Sequence, residues 1–257
     1  MTKKKKIPFD YTIKNLSIRQ PRIYIDEKKI FPFLPMSLLC VSKSESGKTN
    51  LLINMILKYR KYFKDNLYIF NKSPDLTIKK RLIDNPKING VRFTGLFDKY
   101  GNSVIKEIMN NQQEMINNGE NPPHVLIYLD DFYCGEMMKK NDDLFLNLYS
   151  LARHLNISII QIIHQWTSIS PTIRRLCKFF IFFKISNRRE KEFCAYELCN
   201  TINKTEKEFI FLFDEITKEQ YNFMLIDATT GKFYHNFDYP DKELKLLEEA
   251  KEKGIQF

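Results

Sequence analysis

A loop of small residues that joins a short apolar run to a helical pattern limits the possible folds of this chain more than any other feature. The apolar run covers residues 37–41, and the loop covers residues 42–49. Beyond the loop, apolar residues recur with the spacing of one helix face, at Leu51, Leu52, Met55, Ile56 and Tyr59. A short apolar run of this kind is typical of a buried parallel strand. The order of strand, tight loop and helix predicts an α/β fold.

The composition of the loop is suited to binding phosphate. Residues 42–49 read Ser-Lys-Ser-Glu-Ser-Gly-Lys-Thr and match the pattern G-x-x-x-x-G-K-[ST] except at the first position, which is Ser42. Several backbone N–H groups must converge on the phosphate oxygens, so the loop has to be tightly curved and uncrowded. We expect Lys48 to reach the β- and γ-phosphates and the Thr49 hydroxyl to hold Mg²⁺. The predicted nucleotide-binding residues are Ser42, Lys43, Ser44, Glu45, Ser46, Gly47, Lys48, Thr49 and Asn50.

Two loop positions depart from what a phosphate site favours. Serine at position 42 costs little unless the backbone there needs a positive φ angle. Glu45 adds negative charge near the phosphates, so we expect it to point to solvent or to a neighbouring subunit. A coincidental match on a surface turn would lack the strand before the loop and the helix after it, and both are predicted here.

Two aspartates follow a second apolar run and form the other half of the predicted site. The run covers residues 124–129 and ends in Asp130 and Asp131. A buried strand delivers such carboxylates to the carboxyl edge of the sheet, where ligands bind in α/β folds. We expect Asp130 to hold Mg²⁺ and Asp131 to orient or deprotonate the attacking water. The alternative is that the two aspartates only begin a turn.

Strands that alternate with helices indicate one α/β domain with a mostly parallel central sheet and flanking helices. We divide the chain into a basic lead-in at residues 1–34, an ATPase domain at 35–235 and a charged helix at 236–257. The apolar run 157–163 is predicted to lie beside the acidic strand. It would bring His164 or Gln165 near the γ-phosphate, and Gln165 is the preferred candidate because its amide can bond both the water and the phosphate.

Charge and cysteine content narrow the class of protein. The 257 residues include 41 Lys and Arg against 31 Asp and Glu, a net charge of +10, which fits a polyanionic partner such as DNA or RNA, or only a soluble surface. With 43% hydrophobic residues the chain is too apolar for a disordered protein. No apolar run approaches the ~18 residues of a membrane helix. The five cysteines form no CxxC pair, so we interpret them as reduced thiols of an intracellular protein.

The motifs taken together resemble those of a known superfamily. Their order is Ser-Gly-Lys-Thr at residues 46–49, Leu-Asp-Asp at 129–131, Ala-Arg-His-Leu-Asn-Ile-Ser-Ile-Ile at 152–160, Gln165, and Pro-Thr-Ile-Arg-Arg at 171–175. Over roughly residues 35–190 this pattern resembles the FtsK–HerA superfamily, and within it the genome-packaging ATPases of large DNA viruses and their virophages. The resemblance implies a RecA-like P-loop NTPase fold of the additional-strand (ASCE) branch, with a strand between the phosphate-loop strand and the acidic strand.

The resemblance also implies a motor. It would bind ATP and Mg²⁺ between the subunits of a homo-oligomeric ring, a pentamer or hexamer, and translocate double-stranded DNA into a capsid. An arginine from the neighbouring subunit would complete each site, and the candidates are Arg153, Arg174 and Arg175. A capsid or portal-like protein is an implied partner. The implied location is the host cytoplasm or viral factory, with the virion as a further place.

Other functions stay open on the sequence alone. A cellular-type DNA translocase or helicase fits the same motifs and charge. A non-catalytic DNA-binding virion protein with a decayed loop would also carry Ser42 and Asp131. A small-molecule kinase is a further alternative. A GTPase switch is disfavoured because no Asn-Lys-x-Asp segment lies in the usual place, the nearest candidate being residues 71–74.

Overall fold

A single eight-stranded sheet organises the part of the chain that the computed structural model describes, which is residues 22–63, 66–71, 91–93, 101–130 and 142–255. The strands are β1 (Ser37–Val41), β2 (Leu67–Asn71), β3 (Val91–Phe93), β4 (Val125–Asp130), β5 (Ile157–Ile163), β6 (Phe179–Phe182), β7 (Met224–Asp227) and β8 (Lys232–His235). The helices are α1 (Lys48–Phe63), α2 (Gly101–Asn117), α3 (Asp142–Leu151), α4 (Pro171–Leu176), α5 (Arg188–Leu198), α6 (Glu206–Ile216) and α7 (Asp241–Glu252).

The strand order explains where a ligand can bind. It runs β3-β2-β4-β5-β1-β6-β7-β8. The first six strands in this order are parallel, and β7 and β8 extend the sheet in antiparallel fashion. The mostly parallel sheet is confirmed. The strand β5 lies between β1 and β4, so the phosphate-loop strand and the acidic strand are separated by one strand, as the resemblance implied.

Helices cover both faces of the sheet, which is why the central strands are continuous apolar runs. All residues of β1 and β5 are buried. On one face, α1 packs through side chains that include Leu52, Ile56 and Tyr59. On the other face, α2, α3, α5 and α6 share a second apolar cluster. None of the helices in the described part of the chain is long and apolar enough to cross a membrane.

The end of the predicted lead-in packs against the α1 face. Ile30, Phe33 and Leu34 are buried there with the apolar residues of α1. The hydroxyl of Tyr59 donates to the Pro32 carbonyl at 2.6 Å. Residues 30–34 therefore share the core of the sheet, while the division of the chain into three segments stays a prediction.

The helix α6 lies between residues 199 and 222, where no element was predicted. Thr205 and Glu208 form a capping box, with the Thr205 hydroxyl accepting from the Glu208 N–H at 3.2 Å and the Glu208 carboxylate accepting from the Thr205 N–H at 2.8 Å. The buried residues Phe209, Leu212 and Phe213 have helical spacing, so both signals were present in the sequence.

Candidate nucleotide site

The phosphate loop begins at the carboxyl end of β1 and is held against β5. The Ser42 N–H donates to the Ile163 carbonyl at 3.1 Å. The Ser42 carbonyl in turn lies 2.8 Å from His164 Nδ1, so it accepts a hydrogen bond from that ring nitrogen. These two bonds fix the first residue of the loop to the end of β5. His164 is thereby a support of the loop, a role that its position in the sequence did not reveal.

The structure shows the backbone conformation at the two unusual loop positions, Ser42 and Glu45. Positive φ angles occur at Glu45 (61°) and Gly47 (88°), while Ser42 is not among the described residues that have one. Serine at position 42 therefore meets no steric obstacle of the kind that glycine would relieve. The Glu45 side chain is exposed.

The loop leads directly into a helix of 16 residues that carries no acidic residue in its first turn. Its free N–H groups and its dipole create a positive potential at the start of α1, which favours phosphate. Lys48 and Thr49 are half-buried in this first turn. The Lys48 ammonium lies 3.5 Å from the Lys43 carbonyl, a long contact that a phosphate oxygen could replace. The predicted nucleotide-binding residues form this one continuous segment: Ser42, Lys43, Ser44, Glu45, Ser46, Gly47, Lys48, Thr49 and Asn50.

Asp130 ends β4 at the same edge of the sheet and is 6% exposed. It is in register with Ile162 of β5, and Ile162 is in register with Cys40 of β1. Residues in one such row point to the same face, and neighbouring strands are about 4.8 Å apart, so Asp130 and Cys40 are about 10 Å apart on one face. Cys40 and Ile162 belong to the apolar cluster of α1, so Asp130 lies on the face where that helix begins.

The electrostatics of Cys40 support this arrangement. Burial raises the pKa of its thiol to about 12, with the Lys48 cation opposing and the Asp130 carboxylate adding to that rise. Both charges therefore act on the same buried thiol near the carboxyl end of β1.

The oxygen ligands available here suit Mg²⁺. The Thr49 hydroxyl and the Asp130 carboxylate are hard oxygen donors, and Mg²⁺ is typically held by one or two protein ligands together with phosphates and water. These two oxygen donors fit a metal that arrives with a polyphosphate. Within the described ranges no cluster of three or more His, Cys, Asp or Glu could hold a metal ion.

Gln165 and Asp131 are the residues predicted to act on the attacking water, and the structure describes only Gln165. Gln165 is exposed just beyond the end of β5, which places it at the same edge as the phosphate loop. Asp131 falls outside the described residues. Trp166 follows Gln165 and is fully buried against Phe180 and Phe182, so it belongs to the core.

Arg174 differs in its surroundings from an arginine that reaches a neighbouring subunit. It is 6% exposed, and its Nε and Nη2 donate to the two Glu197 carboxylate oxygens at 2.8 and 2.5 Å. Its Nη1 donates to the carbonyls of Trp166 and Ile169. The guanidinium also lies over the Trp166 ring, 5.0 Å from the centroid. In this conformation Arg174 holds α4 to α5 within its own chain.

The other two arginines are more accessible. Arg175 is exposed on α4. Arg153 lies in the turn before β5 and acts electrostatically on Lys178, the residue before β6. Arg153 precedes β5 and Lys178 precedes β6, and both strands run parallel to β1. Arg153 therefore lies at the amino edge of the sheet. The phosphate loop of the same chain is at the opposite edge, about 15 Å away along a five-residue strand.

One further residue touches the loop without any local sequence signal. The ring of Tyr221, in the connection between α6 and β7, lies against Gly47: a Cβ atom at Gly47 would be 2.8 Å from Tyr221 Cδ1. Tyr221 is far from the loop in sequence, so no motif spacing could have identified it.

Comparisons with known proteins identify the family and the fold of this chain. Residues 32–252 match the model of a family described as Poxvirus A32 protein. The DNA-packaging ATPase B204 from Sulfolobus turreted icosahedral virus has a TM-score of 0.55 and 16% identity, over 79% of this chain and 97% of that chain. The genome packaging NTPase B204 from Sulfolobus turreted icosahedral virus 2, in complex with AMPPCP, has a TM-score of 0.54 and 13% identity, over 79% and 96%.

A third solved structure is EssC (ATPases 2 and 3) from Geobacillus thermodenitrificans, with a TM-score of 0.52 and 13% identity. The match covers 85% of this chain and 44% of that one, so this chain spans less than half of EssC. No curated protein matches the chain. The matches confirm the predicted P-loop NTPase fold and the resemblance to viral genome-packaging ATPases.

Proposed function

The chain belongs to the Poxvirus A32 protein family, and on that premise we propose that this P-loop ATPase hydrolyses Mg²⁺-bound ATP to move double-stranded DNA into a capsid. The observation that supports the proposal is that Lys48 and Thr49 begin α1 and Asp130 ends β4, so that all three lie at the carboxyl edge of the sheet. A cation, a helix N-terminus and two oxygen ligands at one edge are the requirements of a metal-bound triphosphate.

Each residue has a defined task in this proposal. The backbone N–H groups of residues 44–49 hold the β-phosphate, and Lys48 spans the β- and γ-phosphates. Thr49 and Asp130 hold Mg²⁺, which neutralises charge on the phosphates when bound. Gln165 orients the attacking water, and Asp131 accepts its proton or orients it. The loop is kept in place for this by the bonds from Ser42 to the end of β5.

The site is completed by a second copy of the chain in a ring. Charge that builds up on the transferred phosphoryl group requires a further cation, and one supplied by a neighbour couples hydrolysis to subunit motion. Arg153 is distant from the loop of its own chain, so it would act only in trans. Arg175 is exposed and is the second candidate. Arg174 is used inside its own chain by Glu197.

Double-stranded DNA is the proposed cargo. The net charge of +10 favours a polyanion. The two B204 proteins with the same fold are named as a DNA-packaging ATPase and a genome packaging NTPase. We place the protein in the host cytoplasm or viral factory, and in the virion while it is docked on a capsid or portal-like protein.

Steady-state ATP hydrolysis, measured with and without duplex DNA at a stated salt concentration, tests the proposal. We expect Mg²⁺-dependent hydrolysis that Asp130→Asn lowers by about 100-fold, because the amide loses the charge that holds the metal. Asp143→Asn is the matched control, because Asp143 is exposed on α3 and should leave the rate unchanged. Absence of hydrolysis by the wild type, or a preference for GTP that ignores DNA, would contradict the proposal.

A further inference from the structure

A cavity beside the phosphate loop has no role in the chemistry described above. We propose that it receives the nucleobase of the bound nucleotide and that Tyr221 stacks on that base. The proposal rests on the proposed function and adds to it a residue that determines how the nucleoside is held.

The order of the strands decides on which side of β1 the nucleoside lies. The groups proposed to act at the γ-phosphate end, Asp130 on the metal and Gln165 on the attacking water, are both on one side of β1. The α-phosphate is joined to the β-phosphate opposite the γ-phosphate, so the nucleoside extends from the loop toward the other side of β1. That side is formed by the end of β6 and by the connection that precedes β7.

The cavity lies on that second side. It has a volume of about 360 Å³ and is lined by Ser44 and Ser46 of the loop, Phe183 and Lys184 after β6, and residues 218–222. Ligand pockets typically have volumes of about 300–1,000 Å³. Phe183 is 2% exposed and packs against Phe223 with ring centroids 5.5 Å apart, which gives the cavity an apolar wall. An apolar wall next to a phosphate loop suits a planar base.

Tyr221 is held at this place at a conformational cost. Its φ angle is +71°, in the left-handed region that bulky residues rarely occupy. Tyr221 is nevertheless 61% exposed, so it is not held in this conformation by burial in the core that the structure describes. Strained residues of this kind concentrate at ligand sites. The ring contacts the loop at Gly47, so it is next to the phosphates.

An exposed aromatic ring at this position can bind a base by stacking, because every base has a π face. Stacking would hold the nucleoside without a contact to its hydrogen-bonding edge. Tyr221 then contributes to the affinity for any nucleotide and not to the affinity for the phosphate chain alone. This difference separates a base-binding role from a structural one.

Isothermal titration of the full chain with Mg²⁺-ATP and with Mg²⁺-tripolyphosphate measures that difference. We expect Tyr221→Ala to weaken ATP binding by about 10-fold and tripolyphosphate binding by less than about 2-fold. Tyr221→Phe keeps the ring and should retain ATP affinity within about 2-fold. Tyr196→Ala is the matched control, because Tyr196 is an exposed tyrosine on α5, away from the loop. Thermal melting of each variant verifies that it is folded.

The outcomes separate this inference from the function on which it rests. Equal weakening of both ligands by Tyr221→Ala would mean that the ring only supports the loop, and it would overturn the stacking role. Unchanged ATP affinity in Tyr221→Ala would overturn it as well. A wild type that binds tripolyphosphate and ATP with equal affinity would overturn the base cavity while leaving the phosphate site intact. A wild type that binds neither ligand would overturn both the cavity and the proposed function.

Discussion

Two cations of this protein, Lys48 and Arg174, lie in opposite kinds of surroundings. Lys48 is half-buried at the start of α1, with its ammonium 3.5 Å from the Lys43 carbonyl. Arg174 is almost fully buried and donates to both oxygens of Glu197 and to two carbonyls. A charge in the first situation can still bind a ligand, whereas a charge in the second is committed to its own fold. The contrast shows that burial and partners, and not residue type, separate binding from structural cations.

The largest expected effect is the loss of ATP hydrolysis when Lys48 is replaced. Lys48→Ala should lower kcat for ATP hydrolysis by about 100- to 1,000-fold, because a cation at the transferred phosphoryl group is lost. The free energy of unfolding should change by less than about 0.5 kcal/mol, because the hydrogen bond of Lys48 to the Lys43 carbonyl is long, at 3.5 Å. Steady-state kinetics and urea unfolding measure the two effects. Lys61→Ala, on an exposed position of the same helix, is the control. A loss of less than 10-fold in kcat would place Lys48 with the structural cations.

Arg174→Met should show the reverse pattern. We expect a loss of about 3 kcal/mol in the free energy of unfolding, because Glu197 would be left partly buried without its partner. The value is at the low end for such pairs because the Glu197 side chain is 27% exposed. Arg175→Met, at the exposed neighbouring position, should change stability by less than about 0.5 kcal/mol. Equal stability of the two variants in urea unfolding would remove the contrast.

Lys178 lies in a third kind of surroundings, because the charged groups that act on its pKa are other cations. Burial, followed by the charges of Arg153 and Arg22, lowers its pKa from 10.5 to about 8. Between pH 8 and 10.5 the unfolded chain therefore holds more protons at this site, and the site's cost to stability disappears as the pH rises through that window. Lys178→Met should be more stable than the wild type by about 1 kcal/mol at pH 7, discounted for partial exposure. The difference should vanish near pH 10.5 in unfolding experiments. A stability difference between the variant and the wild type that does not change with pH would contradict the lowered pKa of Lys178.

The smallest expected effect concerns Thr205, the N-cap of α6, which contacts neither Lys48 nor Arg174 in the hydrogen bonds described above. Thr205→Ala removes the hydroxyl that accepts from the Glu208 N–H and should cost about 1 kcal/mol of unfolding free energy. The rate of ATP hydrolysis should stay the same, because α6 begins away from the phosphate loop. Thr205→Ser keeps the hydroxyl and serves as the control in thermal melting. A change in kcat without a change in stability would be the contrary result.

The parts of the fold that local chemistry dictates could be predicted from the sequence. Gly47 and Lys48 are required by a curved loop and a phosphate, and α1 begins at Lys48 where it was expected. The apolar run 157–163 was predicted to lie beside the acidic strand, and β5 pairs with β4. The capping box at Thr205 was an available signal for α6 that was not used.

What could not be predicted depends on residues far apart in the chain. Arg174 follows a recognisable motif, but its partner Glu197 is 23 residues later, on another helix. The contact between Tyr221 and Gly47 depends on how β6 and β7 pair, which no local pattern specifies. The assignments of Asp131, Gln165 and the arginine in trans stay predictions, because they concern a bound nucleotide and a second subunit.

The position of Arg153 at the edge of the sheet opposite to the phosphate loop has a consequence for assembly. In the proposed ring, a contact between this arginine and the loop of a neighbour would join two different surfaces, which makes the contact heterologous. Repeated around an axis, such contacts close into a wheel or continue as a spiral, and every junction faces the same way. The assembly would then have a front and a back, which is the asymmetry that any device needs to feed a polymer in one direction.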